Sequence, residues 1–357
     1  PGIGKAINRR LPFGRRGDSV LFTKRKRWMD RGYAGLVLLD AMERQVEEGD
    51  IVQVNPDGKV SILWENSNRN NSILMTESCN CKCLMCPQPP KPYEPELTRI
   101  NWKILSMLPS HYEGEVCFTG GEPTLLEEDF LRFVWQANRK LTRSSFILLT
   151  NAKRFSNFEF TKKFASLQLN NFMIAVSMHA DVFDLHDKIV GRKGSFIKTQ
   201  KGIHNLGKFK HLIEIRVVVN KLNKNRLDKI AEHIYRNFPF VAHVTFMGLE
   251  MTGLAKDNIP EVWVDPYAYR KELSKAVHEL YRRGLRVSVY NHQLCVLDEK
   301  TRAFARQSIS AWKNSYLPAC ETCEEKESCC GFFSTSEGVV SDYIKPIRKC
   351  LTRDIDK

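Results

Sequence analysis

The densest chemistry in this sequence is Cys79-Asn80-Cys81-Lys82-Cys83-Leu84-Met85-Cys86, which follows directly on the apolar run Ser72-Ile73-Leu74-Met75-Thr76. Cys79, Cys83 and Cys86 are spaced C-x₃-C-x₂-C, so one short loop can wrap three thiolates around one face of an iron–sulfur cube. Three protein ligands leave the fourth iron open to a small molecule, whereas a fully ligated electron-transfer cluster has no such position. A structural zinc knuckle and a disulfide-bonded loop are the other two readings of the same spacing. Cys81 and Cys117 fall outside the triad and read as small packing residues.

The elements that must position this loop have a clear rhythm from residue 72 onward. Short apolar runs at 72–76, 115–119, 146–150, 172–177, 213–219 and 243–248 have strand character. Between them, segments of helical period lie near 101–108, 127–141, 158–166, 195–206 and 224–237. Strands alternating with crossover helices imply a parallel sheet with right-handed connections. Six such units are fewer than the eight of a closed barrel, so the predicted fold is α/β, a partial (β/α)₆ TIM-like barrel over residues 71–260. Residues 1–70 read as a basic arm and a small β-containing cap. Its segments are a short helix or strand at 34–39 and a hairpin, 51–54 and 60–64, about the turn Asn55-Pro56-Asp57-Gly58. Residues 261–357 read as an amphipathic helix from about Pro266 to Arg283, a strand-like Val287-Ser288-Val289-Tyr290 and a small cysteine-rich lobe held together by metal.

The second strand runs into Gly120-Gly121-Glu122-Pro123. Two glycines let the backbone approach a ligand closely, and a carboxylate placed there can accept from an ammonium group. Its position at a strand's carboxyl end is where α/β proteins place their ligands.

Together, the cysteine loop after the first strand and Gly120-Gly121-Glu122-Pro123 after the second resemble the radical S-adenosylmethionine enzymes. The resemblance implies that Cys79, Cys83 and Cys86 hold a [4Fe–4S] cluster whose open iron is chelated by S-adenosylmethionine, with Gly120, Gly121, Glu122 and Pro123 meeting the methionine amino group. It further implies reductive cleavage to a 5′-deoxyadenosyl radical that takes hydrogen from a substrate, and hence an external electron donor. Thr150-Asn151 is similar to the family's Thr-Asn-Gly, with Ala152 standing in place of the glycine. Ser177 occupies the position that contacts ribose, unless it is an ordinary strand-end hydroxyl. Arg216 is a partner for the cofactor carboxylate or for a structural ion pair with Glu214. His179, His186 and Asp187 read as residues that order a loop and cap the following helix rather than as a base.

A second cysteine patch, Cys320-x₂-Cys323-x₅-Cys329-Cys330, has Cys295 upstream and Cys350 beyond. Its spacing alone accommodates zinc. In the company of the first motif it reads as an auxiliary [4Fe–4S] cluster on Cys295, Cys320, Cys323 and Cys329, with Cys330 as the alternative to its neighbour and the role of Cys350 open.

Several stretches resemble one branch of the superfamily, the C-type maturase of the His-Xaa-Ser peptide systems. They are Leu84-Met85-Cys86-Pro87-Gln88-Pro89-Pro90, Glu214-Ile215-Arg216-Val217-Val218-Val219, Met247-Gly248-Leu249-Glu250, Tyr290-Asn291-His292-Gln293-Leu294-Cys295, Ser308-Ile309-Ser310-Ala311-Trp312-Lys313-Asn314 and Gly331-Phe332-Phe333. This resemblance implies a maturase of a ribosomally made peptide or protein that works beside a second radical enzyme.

Eleven cysteines in 357 residues, gathered in two patches, fit metal sites in a reducing compartment better than a disulfide scaffold. No run has the pattern of a signal peptide or the length of a membrane span, so a soluble, cytoplasmic protein is expected. The net charge of +14, dense at Arg9, Arg10, Arg15, Arg16, Lys24, Arg25, Lys26 and Arg27, favours an anionic partner, nucleic acid or an acidic peptide, over a neutral one. A solvated basic arm accounts for it equally simply, and no aromatic residues are interleaved with it as a single-strand platform requires. Two competing functions follow: a radical enzyme that modifies RNA, and a zinc-stapled module that binds nucleic acid or protein.

Overall fold

The computed structural model describes residues 2–7, 19–23, 35–38, 46–55, 60–310, 313–336 and 338–348, the first three segments as backbone strands. The basic residues Arg9, Arg10, Arg15, Arg16, Lys24, Arg25, Lys26 and Arg27, the turn residues 56–58, Ala311, Trp312 and Cys350 lie outside the described residues. Two compact units divide the chain. One comprises Pro1–Ser78, Pro92–Leu149 and Leu167–Phe172, and the other Cys79–Lys91, Thr150–Ser166 and Met173–Lys357.

In the first unit a five-stranded sheet is formed by β1 (Gly2–Ile7), β2 (Ser19–Thr23), β3 (Gly35–Leu38), β4 (Ile51–Val54) and β5 (Val60–Trp64), in the order β3-β2-β1-β4-β5. The expected hairpin is its antiparallel β4–β5 pair, with Ile51, Val52 and Trp64 buried. The run at 34–39 resolves to a strand over its described part, β3.

Next come β6 (Asn70–Thr76), α1 (Pro95–Met107), β7 (Glu115–Gly120), α2 (Glu127–Lys140) and β8 (Ser145–Thr150). Helix α2 shows why the sequence folds locally as it does. Its first turn carries Glu127, Glu128 and Asp129 and its last turn Arg139 and Lys140, matching the helix dipole. Phe130, Phe133, Val134 and Ala137 form the buried stripe. Phe133 meets Phe118 of β7 edge-on, while Phe118, Phe146 and Phe172 stack on one another at about 6 Å.

The second unit continues with α3 (Phe158–Ser166), β9 (Phe172–Ser177), α4 (Phe183–Ile189), α5 (Ser195–Lys208), β10 (Leu212–Val218), α6 (Leu227–Asn237) and β11 (His243–Met247). Two single-turn helices, α7 (Leu254–Asp257) and α8 (Ile259–Val262), precede α9 (Arg270–Arg282), whose buried face is Leu273, Ala276, Val277 and Leu280. Then come β12 (Val287–Tyr290), α10 (Glu299–Arg302) and β13 (Ala305–Arg306). The last described stretch is mostly turns around a two-residue ladder, β14 (Asn314–Ser315) with β15 (Phe332–Phe333).

Strands β6 to β13 form one eight-stranded sheet in sequence order. The pairings β6–β7, β7–β8, β9–β10, β10–β11, β11–β12 and β12–β13 are all parallel. This is the sheet of a partial β/α barrel, and the six expected strands are β6 to β11. It continues past residue 260, because Val287 pairs beside Val244 and so joins β12 to the sheet. No helix among the described residues is long and apolar enough to cross a membrane.

Candidate functional site

The Cys79–Cys86 loop has no regular structure of its own and is held through its backbone. Lys82 N donates to Val190 O (3.0 Å) and Leu84 N to Ile189 O (2.9 Å), which docks the loop on the end of α4. Gly191 allows that approach: it has φ +62°, and a Cβ there would sit 2.3 Å from Lys82 O. On the other flank Leu254 N donates to Cys86 O and Asn258 Nδ2 to Leu84 O, both at 2.9 Å. Met85 is buried with Ile189, Met251, Ala255 and Val262.

The three motif thiols have unlike surroundings. Cys79 lines a solvent-open cavity of about 900 Å³ with Cys81, Lys82, Gly191 and Arg192. Cys86 Sγ donates to Gln88 O at 2.9 Å. Burial, and then the neighbouring Cys81 and Cys86, push the Cys83 thiol up to about 12, and burial also raises Cys86. Among the described residues no group of three or more His, Cys, Asp or Glu side chains is arranged to hold a metal ion. The donor chemistry nevertheless suits a thiophilic cation, since crowded thiols that resist ionising alone ionise readily on one.

Cys81 is not the inert packing residue expected. Its Sγ lies 3.1 Å from Lys153 Nζ and 3.8 Å from both Ser195 Oγ and Asn151 Nδ2. A hydrogen bond with Cys79 and the Lys153 ammonium hold its thiol at about 6, against the effect of burial. Lys153, itself buried, was not singled out by sequence reasoning, and no local pattern marks it. It follows Thr150-Asn151-Ala152 in a turn where Ala152 takes φ +58° and Ala152 N donates to Thr150 Oγ1 at 3.0 Å. Alanine therefore adopts the left-handed conformation for which glycine was expected. Asn151 Nδ2 donates to Asn80 Oδ1 (2.8 Å), which directs this residue toward the cysteine loop.

In the first unit the Gly120–Pro123 turn packs against the end of β6. Gly121 N donates to Thr76 O (2.7 Å) and Glu122 N to Ser78 O (2.8 Å). Side chains at either glycine would clash, with a Cβ 2.2 Å from Thr76 O at Gly120 and 2.3 Å from Ser78 O at Gly121. Ser78 is the residue before Cys79. The Glu122 carboxylate is fully buried and accepts from Thr124 N and Oγ1 at 3.2 and 2.6 Å, while Pro123 begins the short helical turn that it caps.

Ser177 ends β9 in register with Arg216 of β10. Arg216 donates from Nε to Glu214 Oε1 at 3.0 Å, the ion-pair alternative for this residue. Thr245 Oγ1 adds a bond to the same oxygen at 2.8 Å. Burial pushes Glu214 up, but His243, Arg216 and Thr245 together overcome it and hold the carboxyl at about 2. His186 Nδ1 and His179 Nδ1 accept from the backbone N–H groups of His179 (3.2 Å) and Val218 (3.3 Å). Burial lowers them to about 4 and about 3. Asp187 accepts from Gly194 N and Phe196 N at the start of α5, the capping role expected of it.

The second patch gathers its side chains. Cys295, Cys320, Cys323 and Cys329 line one cavity of about 330 Å³ with Tyr316 and Ile347. Ile347 N donates to Cys323 Sγ at 3.3 Å and Tyr316 Oη to Cys329 O at 3.0 Å. Cys330 is outside that lining, buried with Ile309 and Phe333. A hydrogen bond from Cys330 holds Cys329 at about 6, while burial raises Cys295 and Cys320. No disulfide joins any described cysteine.

No family model matches the chain. The sporulation killing factor maturation protein SkfB of Bacillus subtilis is 26% identical over 165 residues, 45% of this chain and 38% of that protein. The cysteine-type anaerobic sulfatase-maturating enzyme of Clostridium novyi is 34% identical over 120 residues, 32% of this chain and 31% of that enzyme. The Fe-coproporphyrin III synthase of Methanosarcina barkeri is 28% identical over 176 residues, 48% of this chain and 40% of that one. The chain thus spans less than half the length of the curated relatives it matches. The crystal structure of Streptococcus suis SuiB shares its fold at a TM-score of 0.50 and 13% identity, over 63% of this chain and 50% of that one. The parallel sheet, the cysteine loop and the Gly120–Pro123 turn, taken with these relatives, make the chain similar to the radical S-adenosylmethionine superfamily.

Proposed function

We propose that this chain is a radical S-adenosylmethionine maturase acting on a ribosomally made peptide or protein. The observation that carries the reading is the pairing of Cys79-x₃-Cys83-x₂-Cys86 after β6 with a Gly120–Pro123 turn whose Glu122 N–H is bonded to Ser78, the residue that opens the cysteine loop. Two of its relatives are named as maturation enzymes, which supports a peptide or protein substrate. When bound, the [4Fe–4S] cluster and S-adenosylmethionine supply the 5′-deoxyadenosyl radical that takes hydrogen from the substrate. Cys79, Cys83 and Cys86 hold the cluster; Gly120 and Gly121 admit the methionyl group to the backbone, and Glu122 accepts from its ammonium. Thr150, Asn151 and Ser177 serve the ribose side, with Asn151 also steadying Asn80, and Arg216 offers its remaining donors to a carboxylate.

The domain reading is a cap at 1–70 and a barrel that begins at 71 and, through β12 and β13, runs on into 261–357, where the cysteine-rich stretch forms the auxiliary lobe. The gathering of Cys295, Cys320, Cys323 and Cys329 about one cavity supports an auxiliary [4Fe–4S] cluster there, with Cys329 rather than Cys330 as ligand. The finer reading is the C-type maturase of the His-Xaa-Ser peptide systems, cytoplasmic, served by an external electron donor and working with a second radical enzyme.

The test is anaerobic purification with iron and zinc analysis, then incubation with S-adenosylmethionine, a reductant and peptides encoded beside the gene. A brown, iron-containing protein that releases 5′-deoxyadenosine and changes the peptide's mass is expected. A colourless chain carrying zinc alone overturns the reading in favour of a zinc-stapled module. Iron-dependent modification of RNA but of no peptide overturns the substrate class.

A further inference from the structure

The Cys79–Cys86 loop contains four thiols within eight residues, and the reading above requires that only three of them bind iron. Four thiolates close a cluster, and a closed cluster has no iron to offer a small molecule. Spacing does not exclude Cys81, which lies two residues from both Cys79 and Cys83. Something outside the loop must occupy it.

We propose that Lys153 reserves Cys81, keeping this fourth thiol out of the ligand set so that one iron of the cluster stays open. The inference rests on the reading of the loop as a radical-generating cluster site. Lys153 Nζ donates to Asn80 O at 2.8 Å, to Cys81 Sγ at 3.1 Å and to Ser195 Oγ at 3.4 Å. Three ammonium protons thus meet three acceptors, two of them on consecutive loop residues. A buried ammonium is costly unless fully bonded, so pulling Cys81 away toward iron would leave Lys153 short of a partner.

The clamp is built from three separate segments. Lys153 is placed by its turn, where Lys153 N donates to Asn151 Oδ1 (3.0 Å) and Thr199 Oγ1 secures Asn151 O (2.9 Å). Ser195 opens α5, a position fixed by the Asp187 cap on Gly194 and Phe196. The loop itself is pinned at Lys82 and Leu84, on either side of Cys83. Cys81 lines the same open cavity as Cys79 but is held there within a fixed frame.

The first experiment uses the metal-free parent chain under native conditions, treated with iodoacetamide and followed by peptide mass spectrometry. Cys81, ionised beside the Lys153 ammonium, reacts at least about tenfold faster than Cys83, and in Lys153→Met that advantage is lost. Equal rates in the parent overturn the inference; this arm needs no variant and stands even if Lys153→Met fails to fold. The second experiment reconstitutes the chains with iron and sulfide and records the electron paramagnetic resonance spectrum of the reduced cluster with and without S-adenosylmethionine. The parent spectrum shifts on addition, the Lys153→Met spectrum does not, and Lys153→Met/Cys81→Ala regains the shift. A shift retained in Lys153→Met, or not regained in the double variant, overturns the inference alone. A parent that takes up no iron overturns the cluster reading and this inference together.

Discussion

In the Cys79–Cys86 loop each motif thiol has its own surroundings, Cys79 at an open cavity, Cys83 half-buried against the Met85 cluster and Cys86 bonded to the Gln88 carbonyl, whereas Cys295, Cys320, Cys323 and Cys329 line a single cavity. The supports differ in the same way. The loop's backbone is fixed by Val190, Ile189, Leu254 and Asn258, while the second patch lies among short turns joined to Ile347 through Cys323 and Glu324. One region fixes the chain path around its thiols; the other lines one cavity with its thiols and has little regular structure around them. Small lobes with too few apolar residues for a core of their own draw on metal for stability.

The largest expected effect breaks the loop. Cys83→Ala lowers 5′-deoxyadenosine release to background, by more than about 100-fold, with the far-ultraviolet circular dichroism unchanged; release at the parental rate would remove Cys83 from the ligand set. Next, Cys320→Ala with Cys323→Ala stops substrate modification while uncoupled 5′-deoxyadenosine release persists, measured side by side on one preparation. Full modification by that variant would reduce the second patch to scaffolding.

A third test sharpens the contrast in thiol reactivity. In metal-free protein at pH 7.5, Cys329, held at about 6, is alkylated more than about 100-fold faster than Cys83, pushed up to about 12. Similar rates would mean that the two regions present their thiols alike.

Acid strains the support of the loop. His179 and His186 lie in the structure that carries the loop, and burial sets them at about 3 and about 4, below the usual 6.5. Folded values below the unfolded ones mean that their contribution is complete above about pH 6.5 and lost as pH falls toward 4. Each costs on the order of 1 kcal/mol per pH unit in that window. Urea midpoints should therefore fall between pH 6.5 and 5, and a flat profile would contradict the buried, neutral assignment. The smallest effect concerns the approach to the second patch, where Tyr269 Oη and His292 Nε2 are 2.8 Å apart and buried. Tyr269→Phe costs about 1 kcal/mol in chemical denaturation, with the iron content unchanged.

Much of this was legible in sequence for a physical reason. Runs such as Phe146-Ile147-Leu148-Leu149-Thr150 announce buried parallel strands, and crossover helices with a strong apolar stripe announce their connections. Strand β13 was not legible, because Ala305-Arg306 is too short to show a period. The two cysteine motifs declared themselves by spacing. What they could not declare depends on tertiary neighbours: Cys329 and Cys330 are adjacent in sequence and separate only by which of them faces the cavity. The Lys153–Cys81 contact spans 72 residues and has no local signature. Arg216 with Glu214 was readable, since residues two apart share one face of a strand.

The anchoring of the cysteine loop also sets a timetable for synthesis. Asn258, which donates to Leu84 O, is 174 residues further along the chain. At ordinary translation speeds a ribosome needs roughly 10–35 s to cover that distance. During that interval the loop's four thiols are already outside or leaving the exit tunnel without their full set of anchors. Iron delivered before residue 153 emerges would meet a ligand set without the Lys153 ammonium, and iron delivered before residue 258 one without the Asn258 bond to Leu84, so faithful assembly favours the later stages of synthesis.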